Sequence, residues 1–385
     1  KFIQQLQQRT QSVWLYSKMF KPLLSKLMAR ENLSSEEVES AVDFILNSTG
    51  SDVSESICVG AFLVLLRAKT ESPVEIAAMV RAMKKKSLKV TVHSKDNGQI
   101  QEKLLDIVGT GGDGADTFNI STSACLLAAA CGCSVAKCGN RASSSNCGSA
   151  DVLEALGVPL QMNGIQVAAC IQQCGLGFLF APVFHPAAKV VAPIRKALGV
   201  RTAFNLLGPL LNSAEAERVV IGVFEEPLLE LIAGALQEIG LVQHALVVTG
   251  CGLDEVSPLG PSQVVELRRA APGAGEPRYL VSRYSFDPLS VGIPRCQLSQ
   301  LRGGVDARSN ADMLREVLRG GCEQDARRDA VVLNAGLGNY VFGLAGTLEE
   351  GVQLARRVLE TGAALERLDK WLDTAQKLVV DPEGC

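Results

Sequence analysis

The segment Asp106-Ile-Val-Gly-Thr-Gly-Gly-Asp-Gly114 sets four glycines within six residues directly after an apolar run. A strand that ends this way turns at once and leaves bare backbone N–H groups at the turn, which suits strand-loop-helix architecture and close approach of an anion. Gly109, Gly111 and Gly114 also satisfy G-x-G-x-x-G. That dinucleotide fingerprint wants an acidic residue ~20 positions on to hold a ribose hydroxyl. The next β-like run here ends in Lys137, the wrong sign for a bare ribose. A plain structural turn would not need the surplus donors Asn119, Ser121 and Thr122 that follow. The loop therefore reads as a cradle for a diphosphate held partly through a metal.

The surrounding pattern gives the fold class. Up to about residue 90 the chain reads as helices, with capping boxes at Ser34-x-x-Glu37 and Ser72-Pro73-x-Glu75 and a buried helix over Ala61–Leu66. Lys84, Lys85 and Lys86 read as the solvated end of the fourth helix. From Leu104 short β-rich runs alternate with helical ones. Strands are expected at 104–108, 134–137, 178–183, 218–224 and 245–249. Helices are expected at 121–131, 150–156 and 227–239, and again over most of 310–376. Ala271-Pro-Gly-Ala-Gly-Glu-Pro277 reads as a surface turn between two strands. The expectation is an α/β protein with a small all-α N-terminal domain and a mostly parallel central sheet flanked by helices. The boundaries are 1–95 for the helical domain and 96–385 for the α/β domain.

Composition narrows the function. The net charge of −3 over 385 residues offers no general field for nucleic acid. Hydrophobic residues at 47 % rule out a disordered chain. The charge-free stretches Thr117–Ala136 and Gly157–Phe184 are interrupted by amides, hydroxyls and glycines, so neither reads as a membrane span. The chain begins at Lys1, which is read as a presequence removed or omitted. The 12 cysteines show no C-x-x-C spacing and read as reduced, small apolar residues.

Three more segments carry chemistry. Lys137-Cys-Gly-Asn-Arg-Ala-Ser-Ser-Ser-Asn-Cys-Gly-Ser149 places an ammonium, an amide, a guanidinium and several hydroxyls between a strand and a helix, a set of donors suited to an anion. Gly252-Leu-Asp-Glu-Val-Ser257 sets adjacent carboxylates at the carboxyl end of a strand, as Mg²⁺ requires when substrate phosphate supplies the remaining ligands. His185-Pro-Ala-Ala-Lys-Val-Val-Ala-Pro-Ile-Arg195 leads to a Gly-Pro turn at Gly208-Pro209, and its arginine could face a carboxylate. His185 reads as structural, and Arg195 taken alone reads equally well as a surface charge.

In this order, DIVGTGGDG, TFNIST, the Lys137–Ser149 loop running on into ADVLEALGV, HPA-x-K-x-x-x-P-x-R-x-x-LG-x-RT-x-FN-x-LGPL and GLDE resemble the anthranilate phosphoribosyltransferase family. The resemblance runs from about Lys21 and includes RGG-x-x-x-x-x-NA near Arg302–Leu318. It implies a fold of nucleoside phosphorylase/phosphoribosyltransferase type, with a contribution from about 185–200 to the helical domain, and a homodimer through that domain. It implies transfer of the phosphoribosyl group of 5-phosphoribosyl 1-pyrophosphate to the amino group of anthranilate, in tryptophan biosynthesis, with Mg²⁺ as cofactor at two ions per subunit. Carried over by residue, Gly109, Gly112, Asp113, Thr117, Asn119, Ser121, Thr122, Lys137, Ser144, Ser145 and Ser149 would hold the phosphoribosyl donor. Gly109, Asn140 and Arg195 would contact anthranilate, and Ser121, Asp254 and Glu255 would bind the metal.

No catalytic acid or base is implied, and only His93, His185 and His244 are available as imidazoles. Cys138 stands where the family often has His, and Gly336-Leu-Gly-Asn-Tyr340 replaces a more usual alanine run in a helix expected to be structural. The stretch Ser285–Cys296 resembles the plant and algal branch, which would place the chain in the plastid stroma; otherwise it would be cytoplasmic. Neither a nucleic-acid nor a membrane partner is expected. A pyrimidine-nucleoside phosphorylase is the alternative enzyme, distinguished by phosphorolysis of thymidine or uridine. A non-enzymatic nucleic-acid-binding relative would instead show salt-dependent DNA binding without turnover.

Overall fold

The computed structural model describes residues 18–48, 53–93, 103–142, 145–271, 279–320 and 324–380. In chain order the helices are α1 (18–28), α2 (Ser35–Leu46), α3 (Val53–Lys69), α4 (Pro73–Lys85), α5 (Ile120–Cys131), α6 (Ser149–Leu156), α7 (Gly164–Cys174), α8 (Ala181–Phe184), α9 (Ala192–Leu198), α10 (Phe204–Leu207), α11 (Pro227–Ile239), α12 (Ala307–Leu318), α13 (Ala326–Phe342), α14 (Leu348–Glu360) and α15 (Ala363–Val380). The strands are β1 (Leu105–Gly109), β2 (Val135–Gly139), β3 (Leu176–Phe180), β4 (Arg218–Gly222), β5 (His244–Gly250), β6 (Ser262–Arg269) and β7 (Tyr279–Phe286). The chain divides into two compact units. Among the described residues, one comprises those within 18–87, 185–211 and 234–239; the other comprises those within 88–184, 212–233 and 240–380. The first thus ends at Ser87 rather than near 95, and takes in a longer second segment than 185–200 together with a short third one.

The first unit is all helical. Both capping boxes form: Ser34 accepts from the Glu37 N–H and Ser72 from the Glu75 N–H, with Pro73 opening α4. These caps satisfy N–H groups that a helix start would otherwise leave without partners. The apolar faces meet around Phe20, whose ring sits edge-on to Phe44 and Phe62 at 6.0 and 5.8 Å. Glu75 is fully buried and serves three donors: the Leu33 N–H at 2.9 Å, the Ser72 N–H at 2.8 Å and Lys69 Nζ at 2.8 Å.

The second unit is built on one seven-stranded sheet of order β3-β2-β1-β4-β5-β6-β7. The first five strands run parallel, and β6 and β7 are antiparallel. The order reverses between β1 and β4, the topological switch point where α/β sheets open a crevice at their carboxyl ends. One expectation needs correction. The strand expected over 178–183 stops at Phe180, because Pro182 lacks an N–H for the ladder and the chain turns into α8. The stretch 157–184, in which the residues suggest no helix before 178, contains the largely buried α7, started by Asn163 accepting from the Ile165 and Gln166 N–H groups. The turn expected over 271–277 lies outside the described residues apart from Ala271, although the flanking β6 and β7 do pair.

Gly336 and Gly338 occupy tight packing. A Cβ on Gly338 would stand 2.7 Å from Ile107 Cδ1, and one on Gly351 would stand 2.3 Å from the Gly336 carbonyl oxygen, so α13 packs closely on β1 and α14. No helix among the described residues is long and apolar enough to cross a membrane. All the described cysteines are free thiols.

Replacing Glu75 with Ala leaves the buried Lys69 ammonium without its carboxylate. The expected cost is about 3–5 kcal/mol, read as a lowered denaturant midpoint for the helical unit; an unchanged midpoint would contradict the assigned role of Glu75.

Candidate active site

Three strand-end glycines prepare the carboxyl edge of the sheet. A Cβ on Gly222, at the end of β4, would fall 1.6 Å from the Asp254 carbonyl oxygen. On Gly109, at the end of β1, it would fall 2.0 Å from Asp254 Oδ2, and on Gly250, at the end of β5, 2.4 Å from the Glu255 carbonyl oxygen. Bare strand ends therefore let the loop after β5 lie directly on the sheet. Asn334 of α13 holds the loop from behind, accepting from the Val256 N–H at 3.2 Å and donating to its carbonyl at 2.7 Å.

This seating aims both acids. Asp254 Oδ2 accepts from the Gly111 N–H at 2.6 Å, and Glu255 Oε1 accepts from the Ser121 N–H at 3.0 Å in the first turn of α5. The adjacent carboxylates thus reach the glycine-rich loop and the positive end of a helix, respectively. Burial, then the charge of Asp113, pushes the Asp254 carboxyl up to about 7. Burial and the charges of Asp254 and Asp113 raise Glu255 well above the carboxylate range, while the Ser121 N–H and the Lys137 charge work in the opposite direction. Two desolvated acids with a third nearby repel one another unless a cation joins them.

The donor set fits the Mg²⁺ that the family resemblance implies. Among the described residues no three His, Cys, Asp or Glu side chains close around a metal by themselves. Mg²⁺ uses one or two carboxylates with water and substrate phosphate, and Asp254, Glu255 and the Ser121 hydroxyl leave it that freedom.

The remaining residues of this unit sit along the same edge. Gly112, Asp113 and Thr117 lie in the loop after β1, where Asp113 Oδ1 accepts from the Ala115 N–H at 3.1 Å. Asn119 caps α5 by position, and Ser121 and Thr122 occupy its first turn. Asn119 Nδ2 donates to the Cys147 carbonyl at 3.1 Å, and the Asn146 N–H donates to Asp116 Oδ1 at 3.1 Å, so the two loops are tied together. The Asn119 Oδ1 is buried without a partner. Ser145 and Asn140 are exposed, and Ser149 opens α6, its hydroxyl donating to the Asn140 carbonyl at 3.2 Å. Ser144 lies outside the described residues.

Two charges in the Lys137–Ser149 stretch, read along the chain as donors to an anion, are engaged by partners within the protein. Lys137 is buried within β2, with Nζ on the Ile107 carbonyl at 2.9 Å. Arg141 grips Asp151 at 3.0 Å and Glu154 at 2.7 and 2.9 Å, bracing the loop against α6. The strap Leu301–Gly304 was given no role in the sequence reading. The Phe118 N–H donates to the Leu301 carbonyl at 2.8 Å and the Gly303 N–H to the Asp116 carbonyl at 3.0 Å. Its signal was the RGG motif at Arg302–Gly304, which enters there only as part of the resemblance.

Arg195 belongs to the first unit, on α9. Its guanidinium lies over the Phe204 ring at 5.7 Å and has no carboxylate partner among the described residues. Burial without a counter-charge lowers its pKa. A half-buried, uncompensated guanidinium beside an aromatic ring suits a planar carboxylate ligand. His185, in the same unit, is buried with Nε2 2.8 Å from the Leu211 carbonyl, a structural placement.

Residues 101–365 match the family described as glycosyl transferase family, a/b domain, and residues 21–87 match its helical bundle domain. Anthranilate phosphoribosyltransferase from Chlamydia felis is 41% identical over 367 residues, spanning 95% of this chain and 100% of that protein. The chain belongs to the anthranilate phosphoribosyltransferase family. The relative from Methanosarcina acetivorans is also 41% identical, over 94% of this chain and 92% of its own length. The family's crystal structure from Thermus thermophilus superposes with a TM-score of 0.80 at 43% identity, covering 92% of this chain and 99% of that one. The enzyme from Saccharomyces cerevisiae in complex with PRPP and Mg gives 0.82 at 28% identity, covering 93% and 98%.

The glycine edge yields a direct check. Gly222→Ala drives a methyl into the Asp254 peptide, an overpacking cost of roughly 1–3 kcal/mol, and lifts both acids away from the Gly111 and Ser121 N–H groups. Metal-dependent activity is expected to collapse while the circular dichroism spectrum stays native. Full activity at the usual metal concentration would disprove the seating.

Proposed function

We infer that the chain catalyses attack of the anthranilate amino nitrogen on C1 of 5-phosphoribosyl 1-pyrophosphate, giving N-(5-phosphoribosyl)anthranilate and pyrophosphate. The observation that carries the reading is the pair of buried carboxylates, Asp254 and Glu255, joined to the glycine-rich loop and to the first turn of α5. Bound Mg²⁺ would be held by Ser121, Asp254 and Glu255, at two ions per subunit, and would neutralise the departing diphosphate. The N–H groups around Gly109 and Gly112, with Asn119, Ser121, Thr122, Ser144, Ser145 and Ser149, supply donors to the phosphoribosyl donor. Asp113 and Thr117 shape the loop, and Lys137 adds positive charge from beneath. Arg195, assigned to the anthranilate carboxylate, and Asn140 and Gly109 are the residues that the resemblance gives to anthranilate.

The nucleophile needs no strong base. His185 is committed to a backbone carbonyl and His244 to Glu266, at 2.8 Å each. An aromatic amine loses its proton readily once the C–N bond forms, so rate comes from placing the two substrates and stabilising the leaving charge.

A homodimer through the helical unit is part of this reading. Val53, Ile57 and Val64 of α3 are exposed by 73%, 65% and 39%. Their spacing puts them on one helical face, an apolar stripe suited to a second copy. Sedimentation as a monomer at micromolar concentration would remove the dimer. The Ser285–Cys296 stretch supports a plastid stroma location for a plant or algal source, which fractionation against a stromal marker decides.

The deciding assay follows anthranilate fluorescence with the phosphoribosyl donor and Mg²⁺. Signal should fall with time, stop on chelation and resume when Mg²⁺ is restored; an equal rate with excess chelator overturns the metal role. In the same assay Arg195→Ala should raise the anthranilate KM by about 10–100-fold, a lost charge-assisted contact of roughly 1.5–3 kcal/mol, and leave the donor KM near its original value. Equal effects on both substrates would remove Arg195 from the anthranilate site.

A further inference from the structure

The ladder between β1 and β2 stops early. A single residue pair, Leu105–Val135, is in register there, against five pairs each between β1 and β4, β2 and β3, and β4 and β5. The next rungs of a parallel ladder would join the Ile107 N–H to the Ala136 carbonyl and the Cys138 N–H to the Ile107 carbonyl. Side chains take these groups instead. Lys137 Nζ donates to the Ile107 carbonyl at 2.9 Å. Asn212 Nδ2 donates to the Ala136 carbonyl at 2.8 Å. The Cys138 N–H donates to both oxygens of Asp106 at 3.3 Å.

The arrangement closes on itself. The second Asn212 Nδ2 proton goes to Asp106 Oδ2 at 2.7 Å, and Asn212 Oδ1 accepts from the Ala214 N–H at 2.9 Å. Asp106, Lys137 and Asn212 are 0%, 3% and 5% exposed. Buried backbone groups are almost always paired, and a sheet gains nothing by exchanging cheap backbone rungs for a buried carboxylate, a buried ammonium and a buried amide. What the exchange changes is geometry. It frees β1 from β2 along the half of each strand that leads into the pocket loops.

We propose that Asp106, Asn212 and Lys137 form a wedge that parts β1 from β2 and so sets the spacing between the glycine-rich loop leaving β1 and the Lys137–Ser149 loop leaving β2. Asp106 and Asn212 are then positioning residues for the phosphoribosyl donor, and this assignment rests on the function inferred above. Asn212→Asp removes both donors and sets a second carboxylate against Asp106. Asp106→Asn leaves its new amide protons without an acceptor. Together the two changes compensate. Asn at position 106 still accepts from the Cys138 N–H and donates one proton to Asp at 212, which still accepts from the Ala214 N–H, so that the Ala136 carbonyl and one amide proton go without partners.

Each single variant should raise the donor KM by about tenfold or more, with the anthranilate KM within about twofold, and the double variant should recover most of that loss. Hydrogen exchange at the Cys138 amide should be fast in Asn212→Asp and slowed again in the double variant. Should Asn212→Asp fail to fold, Asn212→Ala adds no charge and carries the same KM expectation. An unchanged donor KM in the single variants overturns the proposal. So does a uniform fall in kcat, both KM-based efficiencies and the unfolding midpoint with no recovery on combination. If the unmodified protein does not consume anthranilate, the inferred function fails, and the exchange arm still decides the wedge.

Discussion

Asp254 lies on the sheet at a distance that only a side chain of hydrogen tolerates. Its carbonyl oxygen occupies the space that a Cβ of Gly222 would need, and its carboxylate occupies that of Gly109. From this contact follow the burial of Asp254 and Glu255 and their reach to the Gly111 and Ser121 N–H groups, and that burial, with the charge of Asp113 nearby, raises both. A loop standing even one methyl higher would leave the acids in water, at ordinary carboxylate strength and without fixed partners. The same closeness makes the edge of the sheet receptive to a cation bridging protein and diphosphate.

Charge in this protein is distributed by layer. The acids and the amide donors lie at the strand ends, Lys137 lies beneath them, and Asp106 lies within β1 itself, raised to about 6 by burial against the pull of Lys137 and Asn212. Arg141, by contrast, is spent on Asp151 and Glu154, where it stiffens the loop. Arg195 keeps an uncompensated charge in the helical unit, over an aromatic ring. Such a distribution suits a reaction governed by holding two substrates and a departing anion in place, with little proton traffic.

Strand β1 carries two tasks that would conflict in a regular sheet. Its carboxyl end supplies the glycine-rich turn, and its middle supplies Asp106, which takes the Cys138 N–H of β2 that would otherwise pair with the Ile107 carbonyl. The opposite flank of β1 is fully laddered to β4. One side is thus rigidly anchored at the switch point and the other is opened by side chains, so the crevice can widen toward the Lys137–Ser149 loop without loosening the sheet as a whole.

Much of this was legible in the residues. Capping boxes at Ser34 and Ser72, the alternation of strand and helix after Leu104, and the ordered motifs all register in local spacing, because caps and periodicity are properties of a few consecutive residues. The glycine turn and the Asp254–Glu255 pair marked the pocket for the same reason. Tertiary structure alone decided which charges face it. Lys137 and Arg141 look alike as donors along the chain, but one is buried against a carbonyl and the other is paired with acids on α6. The seating of Asp254 on Gly222 and the interrupted ladder at Asp106 also needed the fold. Each depends on which backbone groups come face to face across distant segments, and that pairing has no signature in neighbouring residues.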